Sequence, residues 1–597
     1  MNGWAISILR ATCVRSCRRY ACEATAGIHK QDRRNSLPAG PDLRHFMQQG
    51  KKARLPKISP TVEESSSYLS RDDISGQGRK VKYVTYGCQM NVNDMEVVRS
   101  LLKTNGYTET ADLQDADVVV LITCSIREGA EDKVWRELRR IRNTTRQKNP
   151  VVGVLGCMAE RVRHGLLAKN GLVDVVAVHL FGYYCPNIYE KVACWRSCKC
   201  PAEGGWMSFT LEQYCGSASI LAGPDAYRDL PRLLAVARAG SSAINVQLSV
   251  EETYADVRPV RVDTSAKTAF VSIMRGCDNM CTYCVVPLTR GRERSRPIDS
   301  IIEEVRQLSN EGIKQITLLG QNVNSYRDMS ESSYCFDGTI STSTVPGFST
   351  VYKPKVGGRT FLTLLDKISE VDPEMRIRFT SPHPKDFPIE VIQLIKERRN
   401  ICNQLHLPAQ SGDNDTLERM GRGYTRESYL QLVDNIKSVL PDVSLTSDFI
   451  AGFCGETDEA HERTLDLIRN VKYSFCYVFP YSMREKTRAH YRLTDDVPEE
   501  IKKRRHEELA AAFRHEALSI HQSLLGSEQL VLVEGPSKRS PTALQGRADC
   551  GSKVIFKNSG SYNPGDYVIV KIKDCTSQTM QGEAVRTTKL KEFHAKL

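Results

Sequence analysis

The sequence predicts an α/β protein built from an N-terminal βαβ domain, a partial (β/α)6 barrel and a small C-terminal β-barrel. Short apolar runs alternate with helical stretches, first between about 80 and 157 and again between about 268 and 485. This alternation is typical of parallel sheets with crossover helices. Five short strand-like runs, separated by Gly, Pro and Asn turns, follow near the C-terminus. That last pattern indicates a small barrel.

Composition limits the classes of protein that the chain can belong to. Of its 597 residues, 40% are hydrophobic and 26% are charged, which excludes a wholly disordered chain. No run of about 18 apolar residues occurs, so we expect no membrane-spanning helix and no membrane partner. The net charge of +12 is compatible with a polyanionic partner such as nucleic acid. Twenty cysteines without a secretory signal favour metal or redox chemistry over disulfides.

The first 40 residues have the composition of a mitochondrial presequence. Residues 1–22 contain no acidic residue, and their apolar side chains alternate with arginines at positions 10, 15, 18 and 19. The import machinery reads such basic amphipathic segments, and an ordinary basic tail is the alternative. Residues 41–77 are rich in Ser, Pro and Lys, so we expect a disordered linker there.

Residues 78–260 are expected to form the βαβ domain, with strand candidates in VKYVTYGC, VVVLIT and VVGVLGC. The stretch 178–222 does not continue this pattern. It contains two of the four tryptophans and the cysteines Cys185, Cys194, Cys198, Cys200 and Cys215. The alternatives are an added metal site at CWRSCKC and a translated intron or gene-model error.

Residues 261–497 are expected to form the larger barrel, whose site would lie at the carboxyl ends of its strands. The Ser/Thr-rich stretch 327–358 is predicted to be a surface insertion. Residues 498–522 are predicted to be a charged linker helix, and residues 523–592 a small barrel of a kind that often binds oligonucleotides. The strand candidates of the larger barrel are 269–274, 315–320, 376–381, 403–408, 444–450 and 475–482.

A C-x3-C-x2-C triplet, Cys277, Cys281 and Cys284, follows the first strand candidate of that barrel. Three thiolates can hold three irons of a [4Fe–4S] cluster and leave the fourth iron open for a small-molecule ligand. A structural zinc site would normally have four protein ligands. A zinc site with a distant fourth ligand and unrelated thiols are the alternatives.

A second set of cysteines, Cys88, Cys124 and Cys157, lies in the first domain. Each follows an apolar strand-like run, so three strand ends of one sheet could bring three thiols to one edge. Again three ligands would leave an iron open. Buried structural cysteines are the alternative.

The contexts of these cysteines resemble a known family. TYGCQMN, TCSIRE, GCMAER, the triplet and the C-terminal barrel are similar to the radical S-adenosylmethionine (SAM) methylthiotransferases over nearly all of residues 80–592. TYGCQMN and GCDNMCTYCVVPLTRGRERSRP resemble the branch that acts on tRNA. The resemblance implies an N-terminal methylthiotransferase domain, a radical SAM barrel and a TRAM RNA-binding domain. It also implies an auxiliary cluster on Cys88, Cys124 and Cys157, and a radical cluster on Cys277, Cys281 and Cys284.

The reaction implied by the resemblance is methylthiolation of C2 of N6-isopentenyladenosine, at the adenosine 3′ of the anticodon in mitochondrial tRNAs. This carbon bears an unactivated C–H bond, so cofactors must supply the chemistry. The expected cofactors are two [4Fe–4S] clusters and SAM. The expected compartment is the mitochondrial matrix, and the expected electron donor is a ferredoxin or flavoprotein.

Two other functions remain open from the sequence. One is a methylthiotransferase that acts on a ribosomal protein, which TYGCQMN and the Arg-rich stretch disfavour. The other is a non-catalytic adaptor that binds a kinase regulatory subunit, as the name of a family member suggests. Retention of all six cysteines in their motifs disfavours a purely binding role.

Polar residues at strand ends are candidates for cofactor binding. They are Gln321, Asn322, Ser411, Gly455 and Glu456, together with Tyr283 between the last two cysteines of the triplet. Loop caps are the alternative reading of such residues. No carboxylate pair or Ser/His/Asp set stands out, so we expect no catalytic residues beyond the cluster ligands.

Basic residues at two places are candidates for RNA binding. In RGRERSRP, a period of two would place Arg290, Arg292, Arg294 and Arg296 on one side of an extended chain, where they could meet phosphates. A solvated loop, or arginines paired with barrel carboxylates, is the alternative. In the C-terminal barrel, the candidates are Lys538, Arg539, Lys553 and Lys571.

Overall fold

The computed structural model describes residues 69–124, 128–162, 219–240, 243–330, 347–349, 357–559 and 562–595. The predicted presequence, the CWRSCKC segment and most of the stretch 327–358 lie outside these residues. The predicted α/β architecture, with two βα domains and a C-terminal barrel, is confirmed.

The N-terminal domain is a six-stranded parallel sheet with strand order β2-β1-β3-β4-β5-β6. Every residue of β3, VVVLIT, is buried, as expected for a central strand covered on both faces. Its strands are β1 (Lys80–Thr85), β2 (Thr108–Glu109), β3 (Val118–Thr123), β4 (Val151–Gly156), β5 (Ser219–Ala222) and β6 (Ala243–Asn245). Its helices are α1 (Arg71–Ile74), α2 (Gln89–Thr104), α3 (Glu128–Thr144), α4 (Cys157–Val162) and α5 (Leu230–Arg238).

Two predicted boundaries of this domain are wrong. Residues 219–222, assigned to the insertion 178–222, form β5 and hydrogen-bond with β4 and β6. Residues 69–77, assigned to the disordered linker, include α1, whose Ser70 and Asp73 form a reciprocal capping box. Both segments are too short for a helical or strand-like periodicity of apolar residues to be recognised in the sequence.

The second domain contains the six predicted parallel strands, arranged as a partial barrel in two halves, β7-β10-β13 and β14-β15-β16. A single parallel bridge, Ile377 to Ile401, connects the halves among the described residues. The strands are β7 (Thr268–Ser272), β8 (Met274–Arg275), β9 (Arg294–Ser295), β10 (Gln315–Leu319), β11 (Arg327–Asp328), β12 (Arg359–Thr360), β13 (Arg376–Phe379), β14 (Gln404–His406), β15 (Ser444–Ala451) and β16 (Phe475–Pro480). The helices are α6 (Val286–Thr289), α7 (Ile298–Asn310), α8 (Phe361–Val371), α9 (Ile389–Glu397), α10 (Asn414–Met420), α11 (Arg426–Val439), α12 (Asp458–Val471) and α13 (Arg488–Arg492).

The predicted linker helix is part of this domain. It forms α14 (Glu499–Ser523) and packs against β15, β16 and α12. Leu509, Ala510 and Phe513 on one side of it are buried in the barrel core. The helix therefore covers the last strand of the partial barrel rather than spanning two domains freely.

The C-terminal domain is a closed barrel with strand order β17-β18-β19-β21-β20. Two arginines of β13 hold it against the larger barrel: Arg376 donates to the carbonyls of Arg547 and Leu530, and Arg378 to those of Asp549 and Ala548. The strands are β17 (Glu528–Ser537), β18 (Ser540–Arg547), β19 (Lys553–Lys557), β20 (Tyr567–Cys575) and β21 (Thr579–Thr588), and α15 (Leu590–His594) follows. None of the helices in the described part of the chain has the length and apolarity needed to cross a membrane.

Candidate functional site

The sheet of the N-terminal domain brings its three predicted cysteines to one edge. Cys88, Cys124 and Cys157 follow β1, β3 and β4, which are adjacent parallel strands. A hydrogen bond with Cys124, supported by the charge of Arg290, lowers the pKa of Cys88 to about 6. Cys124 and Cys157 are buried, and Cys88 is exposed. The expected convergence of three strand ends is therefore present.

Glycines allow the backbone to approach these cysteines closely. Gly87 has φ +124°, and a Cβ at this position would lie 2.6 Å from the Cβ of Cys124. Gly156 has φ +90°, and its Cβ would lie 2.8 Å from the carbonyl oxygen of Thr123. A larger residue at either position would be strained and would push the strand ends apart.

A buried arginine from the barrel domain lies beside this set. Arg290 donates from Nη2 to Asp94 Oδ2 at 2.7 Å and to Asn91 Oδ1 at 3.3 Å. Asp94 also accepts from Arg275 Nη1 at 2.9 Å. Burial raises the pKa of Cys157, and the charge of Arg290 opposes that rise. The guanidinium therefore stabilises negative charge on the thiols of the N-terminal domain.

The four arginines of RGRERSRP do not form one RNA-facing edge, and this corrects the prediction for three of them. Arg290, Arg294 and Arg296 are buried. Arg294 pairs with Asp225, and Arg296 pairs with Glu304 at 2.6 Å. A period of two requires extended backbone, but α6 ends at Thr289 and only 294–295 is strand. The alternative of pairing with carboxylates is the arrangement observed.

Arg292 is the exception in that stretch. Its side chain is 61% exposed and pairs with Asp278 at 3.1 Å. It remains accessible to a partner.

The triplet of the barrel domain follows β8 and forms a second group of thiols. Val286 N donates to Cys284 Sγ at 3.4 Å, and Cys277 N donates to the carbonyl of Gly291 at 3.3 Å. Burial, and next the charge of Cys281, raises the pKa of Cys284 to about 12. Burial raises the pKa of Cys277 well above its usual range. Thiols in such surroundings become thiolates when they bind a metal, which deprotonates them outright.

A second buried arginine, Arg422, lies against this triplet. It donates from Nη1 to Cys281 Sγ at 3.3 Å and to the hydroxyl of Tyr283 at 3.4 Å. Its other hydrogen bonds go to the hydroxyl of Tyr424 and the carbonyl of Pro408. No carboxylate within the described ranges pairs with it. The guanidinium is therefore placed to balance negative charge on the triplet once its thiols bind a metal.

The two sets of cysteines face each other across the boundary of the domains. Helix α4, which begins at Cys157, packs against α6, which begins two residues after Cys284. The charge of Cys157 is among the causes that raise the pKa of Cys284. The sequence did not predict that the two sets of cysteines lie next to each other.

The soft sulfur donors of each set suit an iron–sulfur cluster. Ligands of one zinc lie about 2.3 Å from it, so their donor atoms come within about 4 Å of one another. Across the residues that the structure describes, no three His, Cys, Asp or Glu side chains are arranged to hold a single metal ion. In a [4Fe–4S] cluster each thiolate binds a separate iron, so three thiols can hold three of its four irons. The three thiols of each set fit that group.

The predicted cofactor-binding residues at strand ends differ in how far they are already engaged. Ser411 and Asn322 are buried and make internal hydrogen bonds, the first with Thr464 and the second with the backbone N–H of His383. Gly455 N donates to Asp496, and Glu456 pairs with Arg505 at 3.0 Å. Gln321 follows β10, and its Oε1 is buried without a hydrogen-bond partner. Among these candidates, Gln321 lies at a strand end and has a buried oxygen without a hydrogen-bond partner. Glu456 also has such an oxygen, but its carboxylate pairs with Arg505.

Tyr283 lies in the barrel domain against Phe453, at 6.4 Å between ring centroids. In the C-terminal barrel, Lys538 and Arg539 are exposed at the turn between β17 and β18. Lys571 is exposed on β20, and Lys553 is half-buried at the start of β19. These four basic residues are accessible, as phosphate contacts require.

Several residues of the site were not found from the sequence. Arg422 lies in ERMGRGY, where nothing marks it as a partner of Cys281. Asp94 and Asp225, which pair with the buried arginines, are far from RGRERSRP in the chain. The one indication in the sequence was the excess of basic residues in RGRERSRP. That excess is compatible with binding to RNA and equally with ion pairs to carboxylates of the protein.

Comparison with known proteins agrees with the three-part architecture. The family described as "Uncharacterized protein family UPF0004" matches residues 80–178, "Radical SAM superfamily" matches 271–468 and "TRAM domain" matches 522–585. Among solved structures, the radical SAM methyltransferase TsrM from Kitasatospora setae aligns with a TM-score of 0.43 at 13% identity, covering 69% of this chain and 74% of that one.

Curated relatives match almost the whole chain. A "CDK5RAP1-like protein" of Caenorhabditis elegans is 55% identical over 568 residues, covering 94% of this chain and 95% of the relative. The "mitochondrial tRNA methylthiotransferase CDK5RAP1" of Homo sapiens is 50% identical, covering 95% and 91%. A "tRNA-2-methylthio-N(6)-dimethylallyladenosine synthase" of Chloroherpeton thalassium is 43% identical, covering 85% and 97%. The chain therefore belongs to the radical SAM tRNA methylthiotransferases.

Proposed function

We propose that this enzyme converts N6-isopentenyladenosine to 2-methylthio-N6-isopentenyladenosine, at the adenosine 3′ of the anticodon of mitochondrial tRNAs, in the mitochondrial matrix. The observation that carries the proposal is the pair of three-cysteine sets facing each other across the boundary of the two βα domains. The names of the relatives support the modified nucleoside and the organelle.

The family to which the chain belongs uses SAM and an iron–sulfur cluster. We propose two clusters, one held by Cys277, Cys281 and Cys284 and the other by Cys88, Cys124 and Cys157. Three ligands in each set leave one iron open, as binding of SAM or of a sulfur ligand requires. When bound, the clusters and SAM would supply the one-electron chemistry that breaks the C2–H bond and the methylthio group that takes the place of the hydrogen.

The chain itself supplies charge balance and position. Arg422 contacts Cys281, and Arg290 lies near Cys88 and Cys157, so each set of thiolates has a guanidinium beside it. Five of the six thiols are not exposed, which limits contact of the reacting groups with water. Gln321, Asn322, Ser411, Gly455, Glu456 and Tyr283 remain proposals for binding SAM.

Binding of tRNA is proposed to use the C-terminal barrel, through Lys538, Arg539, Lys553 and Lys571. Phosphate contacts by such residues position a nucleic acid without reading its sequence. A ferredoxin or flavoprotein is proposed as the electron donor. Binding of a kinase regulatory subunit stays a prediction from the sequence, and the family favours tRNA over a ribosomal protein as the substrate.

The experiment that tests the function is nucleoside mass spectrometry. Reconstituted enzyme, SAM and dithionite are incubated with tRNA that carries isopentenyladenosine and, as a matched control, with the same tRNA lacking the isopentenyl group. We expect 2-methylthio-N6-isopentenyladenosine from the first tRNA and no methylthio product from the second. Absence of product from the isopentenylated tRNA, with both clusters intact, would refute the proposal.

A further inference from the structure

A short segment after β16, Lys486–Arg492, lies at the boundary between the two sets of cysteines; we call it the rim segment. Arg488 Nη1 donates to the carbonyl of Met280 at 3.2 Å, and Ala489 N donates to the carbonyl of Thr282 at 2.8 Å. Both carbonyls belong to the loop that carries the triplet. Lys486 Nζ donates to the carbonyl of Arg161 at 3.2 Å, in the helix that begins at Cys157. The rim segment therefore contacts the supporting elements of both sets.

The position of the rim segment is fixed by its buried residues. Thr487 caps α13: its hydroxyl donates to the carbonyl of Arg484 and accepts from His490 N at 3.2 Å. Ala489 is fully buried in a cluster with Met420, Phe453 and Tyr481. The exposed side chains of this short helix are consequently held at one place beside the triplet.

The exposed side chains of the rim segment are an aromatic ring and cations. Tyr491 is 71% exposed, and the ring of His490 meets it edge-on at 5.2 Å between centroids. Lys486, Arg488 and Arg492 are exposed as well, and within the described residues no carboxylate forms an ion pair with any of them.

Three acidic residues lie close to the rim segment in the chain. Asp495 pairs with Lys502 at 2.9 Å, and Asp496 accepts a hydrogen bond from Gly455 N. Glu485 is the acid next to the segment in the chain. The rim segment thus presents three exposed cations, which pair with no carboxylate among the described residues, around an exposed tyrosine.

We infer that the rim segment binds single-stranded RNA of the anticodon loop, with Tyr491 stacking on a base and Arg488 and Arg492 contacting phosphates. The inference rests on the proposed function, which makes tRNA the substrate. Aromatic rings that stack on bases, together with cations along the backbone, are the usual elements of single-strand binding. A base that must reach a buried centre leaves the stack of its neighbours, and Tyr491 can replace a lost stacking partner.

An acidic protein is the other partner that such a cationic surface fits. Cations alone would be sufficient for an acidic protein, whereas an exposed tyrosine among cations is the combination that favours a nucleic acid. RNA is therefore the occupant that the side chains favour.

The test measures the affinity of the full-length holoenzyme for an isopentenylated anticodon stem–loop RNA by fluorescence anisotropy. Tyr491→Ala should weaken binding about 5- to 100-fold, because one stacked base is lost. Tyr491→Phe, which keeps the ring, should bind within about twofold of the wild type, since stacking does not need the hydroxyl. Arg488→Gln combined with Arg492→Gln should reduce the slope of log affinity against log salt by about two.

Controls separate this inference from the proposed function. Thermal midpoint and visible absorbance of the clusters check that each variant folds and holds iron, and Tyr477→Ala, at a 49% exposed tyrosine on β16, serves as a matched aromatic control. Unchanged affinity in Tyr491→Ala, or equal losses in Tyr491→Ala and Tyr491→Phe, would overturn the inference while the proposed function stands. A different outcome would be that the rim-segment variants bind RNA normally and lose turnover only when a protein electron donor replaces dithionite. That outcome would assign the surface to an acidic protein instead. A wild-type enzyme that neither binds nor modifies the RNA would refute the proposed function itself.

Discussion

The two sets of cysteines differ in how the protein balances the charge beside them. Near the N-terminal set, Arg290 pairs with Asp94, which also binds Arg275. Near the barrel set, Arg422 bonds to hydroxyls, a carbonyl and Cys281. The first arginine belongs to a structural ion-pair network between domains, and the second contacts the sulfur of Cys281 without a carboxylate partner in the described part of the chain. One type of residue is therefore tied to carboxylates at one site and, within the described residues, has no carboxylate partner at the other.

The largest expected effect comes from removing ligands of one set at a time. Cys281→Ala should lose both 5′-deoxyadenosine formation and methylthiolation, because no radical forms without the open iron of the barrel cluster. Cys124→Ala should lose methylthiolation and keep 5′-deoxyadenosine formation. Both products are measured in one reaction with isopentenylated tRNA.

Iron analysis is the control for that comparison. The wild type should bind about eight irons, and a variant with Cys277, Cys281 and Cys284 all changed to alanine should keep about half. If Cys124→Ala stops 5′-deoxyadenosine formation while the barrel cluster is spectroscopically intact, the two centres are coupled. The contact of α4 with α6 would then be the route to examine.

Much of this site could be predicted from the sequence, because parallel strands place the residues that follow them at a common edge. Cys88, Cys124 and Cys157 each follow such a strand, and the triplet directly follows the first strands of the barrel. The proximity of the two sets could not be predicted, since it depends on packing between α4 and α6. Pairing of Arg290 with Asp94 joins residues 196 positions apart, and a local pattern carries no information about such a contact.

The next effect concerns stability at the N-terminal set. Arg290→Gln should lower the free energy of unfolding by about 2–3 kcal/mol, because the fully buried Asp94 loses one charged hydrogen bond and keeps its pair with Arg275. Denaturant unfolding of the iron-free protein measures this change without the clusters. Asp94→Asn in the Arg290→Gln background should not recover the loss, since buried Arg275 would then lose its closest carboxylate partner. An unfolding free energy within about 1 kcal/mol of the wild type for Arg290→Gln would show that the network does not stabilise the fold.

A smaller effect on stability and a larger one on redox behaviour are expected at Arg422. Arg422→Gln removes a positive charge beside Cys281, so the reduced, more negative state of the barrel cluster is less favoured. We expect its midpoint potential to fall by roughly 50–150 mV, the equivalent of about 1–3 kcal/mol for one charge at this distance. A redox titration followed by electron paramagnetic resonance measures the shift.

Arg422→Lys is the matched variant for that measurement. It keeps the charge and loses the planar hydrogen-bonding geometry, so its potential should lie closer to that of the wild type. Equal shifts in the two variants would mean that hydrogen bonding, rather than charge, is the effect of Arg422. An unchanged midpoint potential in both variants would mean that Arg422 does not act on the barrel cluster, and the proposed difference between Arg422 and Arg290 would be wrong.

The smallest effect is expected at Arg292, the exposed member of the basic stretch that otherwise joins the domains. The Arg292 side chain, which pairs with Asp278, is 61% exposed. Arg292→Gln should therefore change the free energy of unfolding by less than about 1 kcal/mol. Because its side chain is accessible, we expect the variant to bind tRNA more weakly, with the slope of log affinity against log salt reduced by about one. Arg290→Gln is the comparison, since its buried guanidinium cannot reach a phosphate and its salt slope should equal that of the wild type. A normal salt slope in Arg292→Gln would leave the whole stretch with a structural role, and RNA contact near the cysteines would then depend on the rim segment.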